Sequence, residues 1–384
     1  MLLSHRSSSL FGDSGANESS SIVGASTGLL SRASVHLVDC RGFKDFSHTT
    51  FSGYSKAAVR KELLQSLCKK KPAQAGYWCA ELIASGHYFD VWDVIFSQFA
   101  CVHVDVRHCG IMLFINDRVM KFGELFGRTN DWTQIRNDLN ARRLIAETCV
   151  VLCSDLVTHR HAADMGCTLS PDDFAIDAVR HRFQAPRIII GSDKNVRGLS
   201  VDDAPELLPS INELVFALDL SQINAVSACF WIEWLLKYEE NCARRKEKPL
   251  CKVRQPHLPA KVAASVVWLI WEVFLDIAAT MPDLRIILSA CQQLFAVNMT
   301  TCAHIRARKS ALFFGVSMLC DRLRFSRPQL SATPFFSMLT SIDTKTMQRH
   351  LADVYGKIKL GEQKLLHPAT AAVMVPVHST AAHS

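Results

Sequence analysis

The sequence lacks the glycine-rich loops that hold phosphate groups in many nucleotide-binding proteins. Its 384 residues contain no G-x-x-x-x-G-K-[ST] pattern and no G-x-G-x-x-G pattern. Both motifs bind phosphate through backbone amides at the start of a helix. A chain without them has no recognisable phosphate-binding loop for a nucleotide. We therefore predict no bound cofactor and no small-molecule ligand, and we assign no residue a catalytic or cofactor-binding role.

Excess charge and long uncharged apolar runs are also scarce. The 43 basic residues outnumber the 36 acidic residues by only seven, a balance that permits contact with nucleic acid without demanding it. The longest apolar window, residues 262–281, carries Glu272 and Asp276, and each acid would cost about 2.5–3.5 kcal/mol at a bilayer centre. We predict a buried helix there and no membrane span. The first six residues lack the apolar core of a signal peptide, although the serine-rich start leaves an organellar transit peptide as an alternative.

Cysteine is frequent but shows no paired framework. The 14 cysteines are scattered, and most lie inside apolar runs such as Trp78-Cys-Ala80. Free cysteines in a reducing compartment behave in this way, as small hydrophobic residues. The pattern predicts reduced thiols in an intracellular protein.

Apolar residues recur at helical spacing along most of the chain. The pattern predicts about eleven helices and hardly any strand, and therefore an all-α protein. The helical part covers residues 51–360 as one large irregular domain, with residues 51–160 and 205–360 as its two candidate lobes. Residues 1–50 and 361–384 lack the periodicity and are predicted to be disordered tails.

Several local signals refine this outline. Ser55 is predicted to cap the first helix by accepting a hydrogen bond from a free amide of its first turn. Ser210-Ile-Asn-Glu213 has the form of a capping box, and Ser170-Pro-Asp-Asp173 places a proline at the first helical position. Short extended pieces are expected at 34–38 and 187–190.

Two strongly apolar segments organise the chain, Ala228–Leu236 and Val266–Leu275. They contain four of the seven tryptophans: Trp231, Trp234, Trp268 and Trp271. We predict two long helices buried on most sides, with these tryptophans in the core, joined by a polar connector of residues 241–259.

Aromatic motifs also give the chain a family resemblance. The motifs are Phe51-Ser-Gly-Tyr-Ser-Lys56, Lys61–Leu67, Tyr77–His87 with Val91-Trp92, Asn212-Glu213, Ala228–Leu235 and Val267-Trp-Leu-Ile-Trp-Glu272. Over residues 51–324 the chain resembles an uncharacterised protein family of large nucleocytoplasmic DNA viruses. The resemblance implies a viral protein made inside an infected algal or protist host, in its cytoplasm, nucleus or viral factory, or carried in the virion. It implies no activity, cofactor or catalytic residue.

Two groups of cysteine and histidine are candidates for metal binding. The first is Cys101, His103, His108 and Cys109; the second is Cys149, Cys153, His159, His161 and Cys167. Cys149 and Cys153 lie one helical turn apart and could share a soft metal such as zinc. Neither spacing matches a zinc knuckle. The prediction is therefore that no metal is bound, that the cysteines pack in the core and that the histidines lie in polar loops.

Glu81, Glu233 and Glu272 are candidates for acid–base chemistry, because each lies in an aromatic helix where burial could tune a carboxyl group. The structural alternative, which we favour, gives each carboxylate a partner. For Glu233 that partner is Lys237, four residues on. For Glu81 and Glu272 it is a buried arginine or a helix-end amide.

Three basic runs are candidates for contact with nucleic acid. The densest lies in the connector, where the residues that could contact phosphates are Arg244, Arg245, Lys246, Lys248, Lys252 and Arg254. The others are Arg306, Arg308 and Lys309, and Arg322, Arg324 and Arg327. Aromatic residues for base stacking are not interleaved with these cations, so we favour solvated loops. If the three basic runs lie on one face of the protein, binding to nucleic acid is favoured. If they are dispersed and an apolar patch is exposed, binding to protein partners is favoured.

These features lead to three functional hypotheses. The first is a non-enzymatic scaffold, virion-associated or complex-forming protein of a large DNA virus, with viral or host proteins as partners. The alternative is a nucleic-acid-binding accessory factor in viral replication or transcription. An enzyme of unrecognised type is the third reading.

Overall fold

The computed structural model describes residues 35–129, 131–159, 176–186 and 199–366. Within these ranges the backbone forms helices and no strand, apart from two isolated bridge pairs, Thr49 with Ser55 and Val104 with His159. Twelve of the described helices have seven or more residues, against the eleven or so predicted. The prediction of an all-α protein is confirmed.

The helices before the first long undescribed stretch are α1 (Lys56–Cys68), α2 (Pro72–Ala84), α3 (Tyr88–Asp93), a π-helix (Val94–His103), α4 (Ile111–Thr129), α5 (Trp132–Ile135) and α6 (Leu139–Leu152). Those that follow are α7 (Ile176–Val179), α8 (Leu208–Ala217), α9 (Ala225–Arg244), α10 (Ala260–Ala263), α11 (Val266–Ile277), α12 (Pro282–Ala296), α13 (Cys302–Ala307), α14 (Ser310–Cys320), α15 (Arg327–Leu330), α16 (Thr333–Ser341) and α17 (Thr344–Leu366). Short 3₁₀ turns occupy Phe43–Phe46, Val106–His108, Arg180–Arg182, Pro205–Leu207 and Ala278–Thr280.

The chain divides into two compact units, each built from separate stretches of sequence. The first unit comprises Met1–Val91, Met120–Val150 and Ser341–Ser384, and the second comprises Trp92–Val119 and Val151–Thr340. Whether the protein behaves as one domain or as two lobes stays a prediction.

In the first unit, α1 and α17 both pack on α2. One buried cluster holds the aliphatic and aromatic side chains of this unit: Leu37, Phe46, Phe51, Ala80, Ala84, Val354, Tyr355 and Ile358. Two of its members, Leu37 and Phe46, come from the stretch that we predicted to be a disordered tail. The prediction of disorder is therefore wrong for residues 35–50.

The side chains of a distant loop hold this N-terminal stretch. The amide group of Asn137 accepts from the backbone N–H of Leu37 and donates to its carbonyl, both at 2.9 Å. Arg136 donates to the carbonyls of Asp39 and Arg41, at 2.8 and 2.7 Å. Because buried backbone groups need partners, these bonds make an ordered path possible for a stretch that has no helical pattern of its own.

The second unit is built around α11, which packs against α9, α12 and α14. Trp231, Trp234, Trp268 and Trp271 are all fully buried, which confirms their predicted place in the core. The ring of Phe295 from α12 lies 5.7 Å from that of Trp268 and 5.8 Å from that of Trp271, in edge-on arrangements that aromatic pairs prefer. Among the described residues, one helical stretch, Ala260–Thr280, is long and apolar enough to cross a membrane, and 72% of its apolar window is buried inside the fold.

Two of the predicted caps are corrected. Ser55 is the N-cap residue of α1, but its hydroxyl accepts no hydrogen bond from the first turn. Helix α8 begins at Leu208, two residues before Ser210, so the capping box does not form. The Ser210 hydroxyl instead donates to the carbonyl of Leu207 at 3.0 Å, and Pro209 lies in the first turn, where a proline suits the helix start.

Some predictions lie outside the described residues. They are the tail of residues 1–34, the helix start at Ser170, the strand at residues 187–190 and the tail of residues 367–384. Residues 35–38 are described, and they form no strand. The last helix extends to Leu366, beyond the predicted end at residue 360.

Candidate functional site

The basic connector begins at a sharply defined helix end. The N–H of Lys246 donates to the carbonyl of Ala243 at 3.1 Å, and that of Glu247 donates to Cys242 at 3.0 Å. This is the Schellman pattern, which usually has glycine at the left-handed position. Here that position is Lys246, with a φ of +59°. The bonds fix the direction in which the chain leaves α9.

Glu240 gathers cations from two of the three basic runs. Its carboxylate accepts from Arg244 at 2.7 Å and from Arg306 at 3.1 Å, both at Oε1, and from Lys237 at 3.1 Å. Burial would raise the pKa of Glu240, but the hydrogen bond from Lys237 and the charges of Lys237, Arg244 and Arg306 outweigh it and lower that pKa. The first and second basic runs therefore meet at the end of α9.

The remaining connector cations divide into exposed and buried groups. Arg245 pairs with Glu247 at 2.5 Å on the surface. Lys246, Lys248 and Lys252 are exposed as well. The backbone N–H of Lys252 donates to Asp203 at 2.9 Å, which holds this part of the connector against the fold. Five of the six predicted phosphate-contacting residues are thus on the surface.

Arg254 is the exception, and its predicted role is corrected. Its side chain is only 2% exposed, and its guanidinium binds Asp203 and Glu272. A guanidinium committed to two carboxylates in the interior cannot also neutralise a phosphate. Arg254 is a structural residue that anchors the end of the connector.

Part of each of the other two basic runs is structural too. Arg308 is buried and donates to Asp93 at 3.1 Å and to the carbonyls of Phe295 and Val297 at 2.6 Å. Arg322 is buried and donates to the carbonyls of Leu218, at 2.8 Å, and Leu319. Only Arg306, Arg324 and Arg327 from these two runs are exposed, with Lys309 half-buried.

The three glutamates proposed for acid–base chemistry all have structural partners. Glu272 binds the buried Arg254 at 2.7 Å, which confirms the predicted arginine partner. Glu81 accepts from the backbone N–H of Ser52 at 3.2 Å and from its hydroxyl at 2.5 Å, so the predicted arginine or helix-end amide is wrong for this residue. The pairing of Glu233 with Lys237 was wrong, because Lys237 binds Glu240.

Glu233 instead binds Lys309, which lies 76 residues further along the chain. The ammonium of Lys309 also lies 5.5 Å from the ring centre of Phe313. A local helical spacing cannot reveal such a pair, since the two residues meet only when α9 and α14 pack.

The described members of the two cysteine and histidine groups do not come together as the sequence grouped them. Cys101 and Cys109 are buried, and burial raises both thiol pKa values, that of Cys109 to about 12. His108 Nδ1 lies 2.9 Å from the hydroxyl of Thr158. His161 and Cys167 lie outside the described residues. Among the residues that the structure describes, no three His, Cys, Asp or Glu side chains are grouped to hold a metal ion.

An open groove of about 510 Å³ lies in the second unit. Arg107, His108 and Asp155 contribute its charged groups, and Leu156 and Phe335 are among its apolar residues. Arg107 pairs with Asp105 at 2.8 Å, so a carboxylate of the same chain already balances its charge. Within the groove the hydroxyl of Thr158 lies 2.9 Å from Nδ1 of His108.

An exposed segment, residues 219–226, runs from the loop after α8 into the first turn of α9, and we call it the apolar loop for its three exposed aliphatic side chains. Leu220, Ile223 and Val226 are 51%, 38% and 72% exposed. Ile223 has a φ of +41°, in the left-handed region that β-branched residues rarely adopt. Sequence analysis missed this loop, because three isolated aliphatic residues give no periodic signal, and only the backbone path shows that they point outwards.

Comparison of the chain with protein-family models, with curated proteins and with solved structures found no match. The sequence does contain one G-x-S-x-G pattern, Gly24-Ala-Ser-Thr-Gly28. That pattern marks a nucleophile only where it forms a turn between a strand and a helix. Residues 24–28 lie outside the described residues, so no catalytic role follows from it.

Proposed function

We propose that this protein is a non-enzymatic, complex-forming scaffold that binds protein partners. The observation that carries the proposal is the apolar loop of residues 219–226, which presents three aliphatic side chains on a fixed backbone. The viral origin and the location in an infected host rest on the aromatic motifs of the sequence, and they are part of the same proposal.

The loop is held in place at both ends. The Asp219 carboxylate accepts from the backbone N–H and the hydroxyl of Ser221, at 2.9 and 2.7 Å. The N–H of Asn224 donates to the carbonyl of Ala217 at 2.8 Å, and its side chain caps α9 by accepting from Ser227 at 3.0 Å. A rigid loop loses little conformational entropy on binding, which favours association.

The strain at Ile223 supports a role in binding. A left-handed conformation costs an L-residue roughly 1–2 kcal/mol, and glycine would avoid that cost. Residues held in such conformations cluster at functional sites, because the surrounding structure must compensate for them. An isoleucine that is strained and yet exposed contributes little to the core, so its side chain serves a contact made outside the chain.

A matched pair of surface variants tests the scaffold proposal. The test variant is Leu220→Ser with Val226→Ser, and the control is Leu323→Ser, which removes another exposed leucine of the second unit. Each tagged protein is purified from host cells and its bound proteins are identified by mass spectrometry. We expect a partner that the wild type and the control retain and the loop variant loses. Identical partners for all three proteins would contradict the proposal.

The second candidate function is binding to nucleic acid. The specific observation in its favour is the meeting of Arg244 and Arg306 at Glu240, beside the exposed Lys246 and Lys248. The same geometry also weakens it, because Glu240 and Glu247 neutralise part of the charge. We expect affinity for mixed-sequence DNA or RNA no better than the roughly 10⁻⁴–10⁻⁶ M of nonspecific binding at physiological salt.

The test replaces Arg244, Arg245, Lys246 and Lys248 by alanine and measures affinity at two salt concentrations. Each phosphate contact that is lost should reduce the salt slope by about 0.7–0.9. The control replaces Arg324 and Arg327, two exposed arginines of the third run. Nanomolar binding by the wild type, abolished only in the connector variant, would favour the nucleic-acid function over the scaffold.

A further inference from the structure

The first unit contains two buried cysteines in direct contact. Cys79 lies in α2 and Cys149 lies in α6, and their Sγ atoms are 3.5 Å apart. Both side chains are fully buried. The sequence grouped Cys149 with Cys153, but the sulfur that Cys149 meets belongs to a residue 70 positions earlier in the chain.

We propose that Cys79 and Cys149 form an oxidisable dithiol that closes to an intramolecular disulfide. A disulfide has a sulfur–sulfur distance of about 2.05 Å, so the two sulfurs must approach by roughly 1.5 Å. Rotation of the cysteine side chains and a small movement of the helices would supply this approach.

The packing around the pair leaves room for that movement. A cavity of about 10 Å³ lies beside them, where α2, α6 and α17 meet. Gly76 and Ala80 of α2 and Ile145 and Ala146 of α6 line it, within about one helical turn of the two cysteines. The small side chains at this contact favour a small shift of α2 and α6.

The chemistry balances with a peroxide as oxidant. One thiolate attacks a peroxide oxygen, which leaves a sulfenic acid and one water molecule. The second thiol then attacks the sulfenic sulfur and expels a second water molecule as the disulfide forms. Two thiols are oxidised by two electrons in total, and one hydrogen peroxide is reduced to two waters.

Burial sets the rate of this step. The hydrogen bond between Cys149 and Cys79 and burial both raise the pKa of Cys149, so the reactive thiolate is scarce in the closed state. Oxidation therefore proceeds through local opening of the first unit, and it is slower than oxidation of the exposed Cys40 and Cys302. Once formed, the disulfide joins α2 to α6 and opposes that opening.

The experiment treats the full-length protein with hydrogen peroxide, blocks the remaining thiols and maps disulfides by mass spectrometry without reduction. We expect a peptide pair linked through Cys79 and Cys149, and a rise in Tm of about 5–10 °C that a reductant reverses. Cys79→Ala should abolish the linked pair and the rise in Tm. Cys291→Ala, which removes a buried cysteine of the second unit, should preserve both.

If either variant fails to fold, the wild-type protein alone still tests the proposed disulfide. Persistence of Cys79 and Cys149 as free thiols, after Cys40 and Cys302 are fully oxidised and the unit has been opened with urea, would overturn the proposal. So would a linked pair whose formation leaves Tm unchanged or lowers it.

Discussion

Arg254 binds the carboxylate of Asp203 through two parallel hydrogen bonds, from Nη1 at 2.8 Å and from Nη2 at 2.7 Å. Its Nε donates to Glu272 at 2.7 Å. This arrangement ties the end of the basic connector to α11 and to the turn that precedes α8. A residue that looked like part of a charged surface is instead one of the ionic anchors of the second unit.

Removing this anchor should destabilise the protein strongly. Arg254→Ala leaves the buried Asp203 without its counter-charge, and breaking such a pair typically costs about 3–5 kcal/mol. Lys252→Ala, two residues away and exposed, should change the free energy of unfolding by less than about 0.5 kcal/mol. Urea denaturation of the two variants measures the difference. Equal stability of both would show that Arg254 is not an anchor.

The Asp203 pair also predicts how stability depends on acid pH. Burial alone would raise the pKa of Asp203, but the hydrogen bonds from Arg254 and from the amides of Ser200 and Lys252 outweigh it and lower that pKa below its ordinary value of 3.8. The folded protein therefore releases this proton more readily than the unfolded chain. The stabilisation is complete above about pH 4–5 and is lost as the pH falls through the folded pKa. Asp203→Asn should show a weaker loss of stability on acidification.

Glu239 predicts the opposite dependence of stability on pH. Burial raises its pKa above the ordinary value of 4.5, although Val266 N–H and the Ser265 hydroxyl donate to it at 2.7 Å. The folded protein holds a proton that the unfolded chain has released, so this group reduces stability as the pH rises from about 4.5 through the folded pKa. Glu239→Gln keeps an acceptor oxygen without the charge. We expect the variant to lose this slope, as measured by denaturation between pH 4 and 8; an unchanged slope would contradict the assignment.

Two tryptophans of α11 form a matched pair for testing the core. Trp268 Nε1 donates to the carbonyl of Val262 at 2.7 Å, whereas no acceptor in the described residues lies within hydrogen-bonding distance of Trp271 Nε1. Both changes to phenylalanine remove similar volume, but only Trp268→Phe also leaves a buried carbonyl without its donor. We expect Trp268→Phe to cost about 1–3 kcal/mol more in unfolding free energy. Equal costs would mean that this hydrogen bond contributes little.

Two glycines test close backbone packing. A Cβ at Gly110 would lie 2.3 Å from the carbonyl oxygen of Ser331, and backbone atoms cannot move aside cheaply. Gly356, inside α17, has no atom within 4 Å of the same position. We expect Gly110→Ala to lower Tm markedly and Gly356→Ala to stabilise the protein by about 0.5–1 kcal/mol. Thermal denaturation followed by circular dichroism distinguishes the expected decrease in Tm from the expected increase.

The left-handed Ile223 links stability to the proposed function. Ile223→Gly relieves the strained φ, and we expect a gain of about 0.5–1 kcal/mol in unfolding free energy. The same change removes an exposed side chain of the apolar loop and should weaken partner binding. A variant that is less stable, or one that keeps full binding, would show that this residue does not serve the loop as proposed.

The helices and the tryptophan core could be predicted from the sequence, because both depend on local periodicity. Apolar residues that recur every three or four positions bury one face of a helix wherever that helix packs. For the same reason the segments around Trp231 and Trp268 were identified as core without knowledge of their neighbours. The partner of Glu272 was predicted only as a residue type, since a buried carboxylate needs a cation but its own helix does not supply one.

The tertiary structure decided which residues far apart in the chain pair with each other. Glu233 meets Lys309 rather than Lys237, Cys149 meets Cys79, and Asn137 holds Leu37 across 100 residues. Each depends on how helices pack, and no spacing within one helix encodes it. The sequence by itself determined which segments are helical and that the four central tryptophans are buried; packing alone decided that Arg254 is an anchor and that Ile223 faces outwards, because exposure is set by the path of the whole chain.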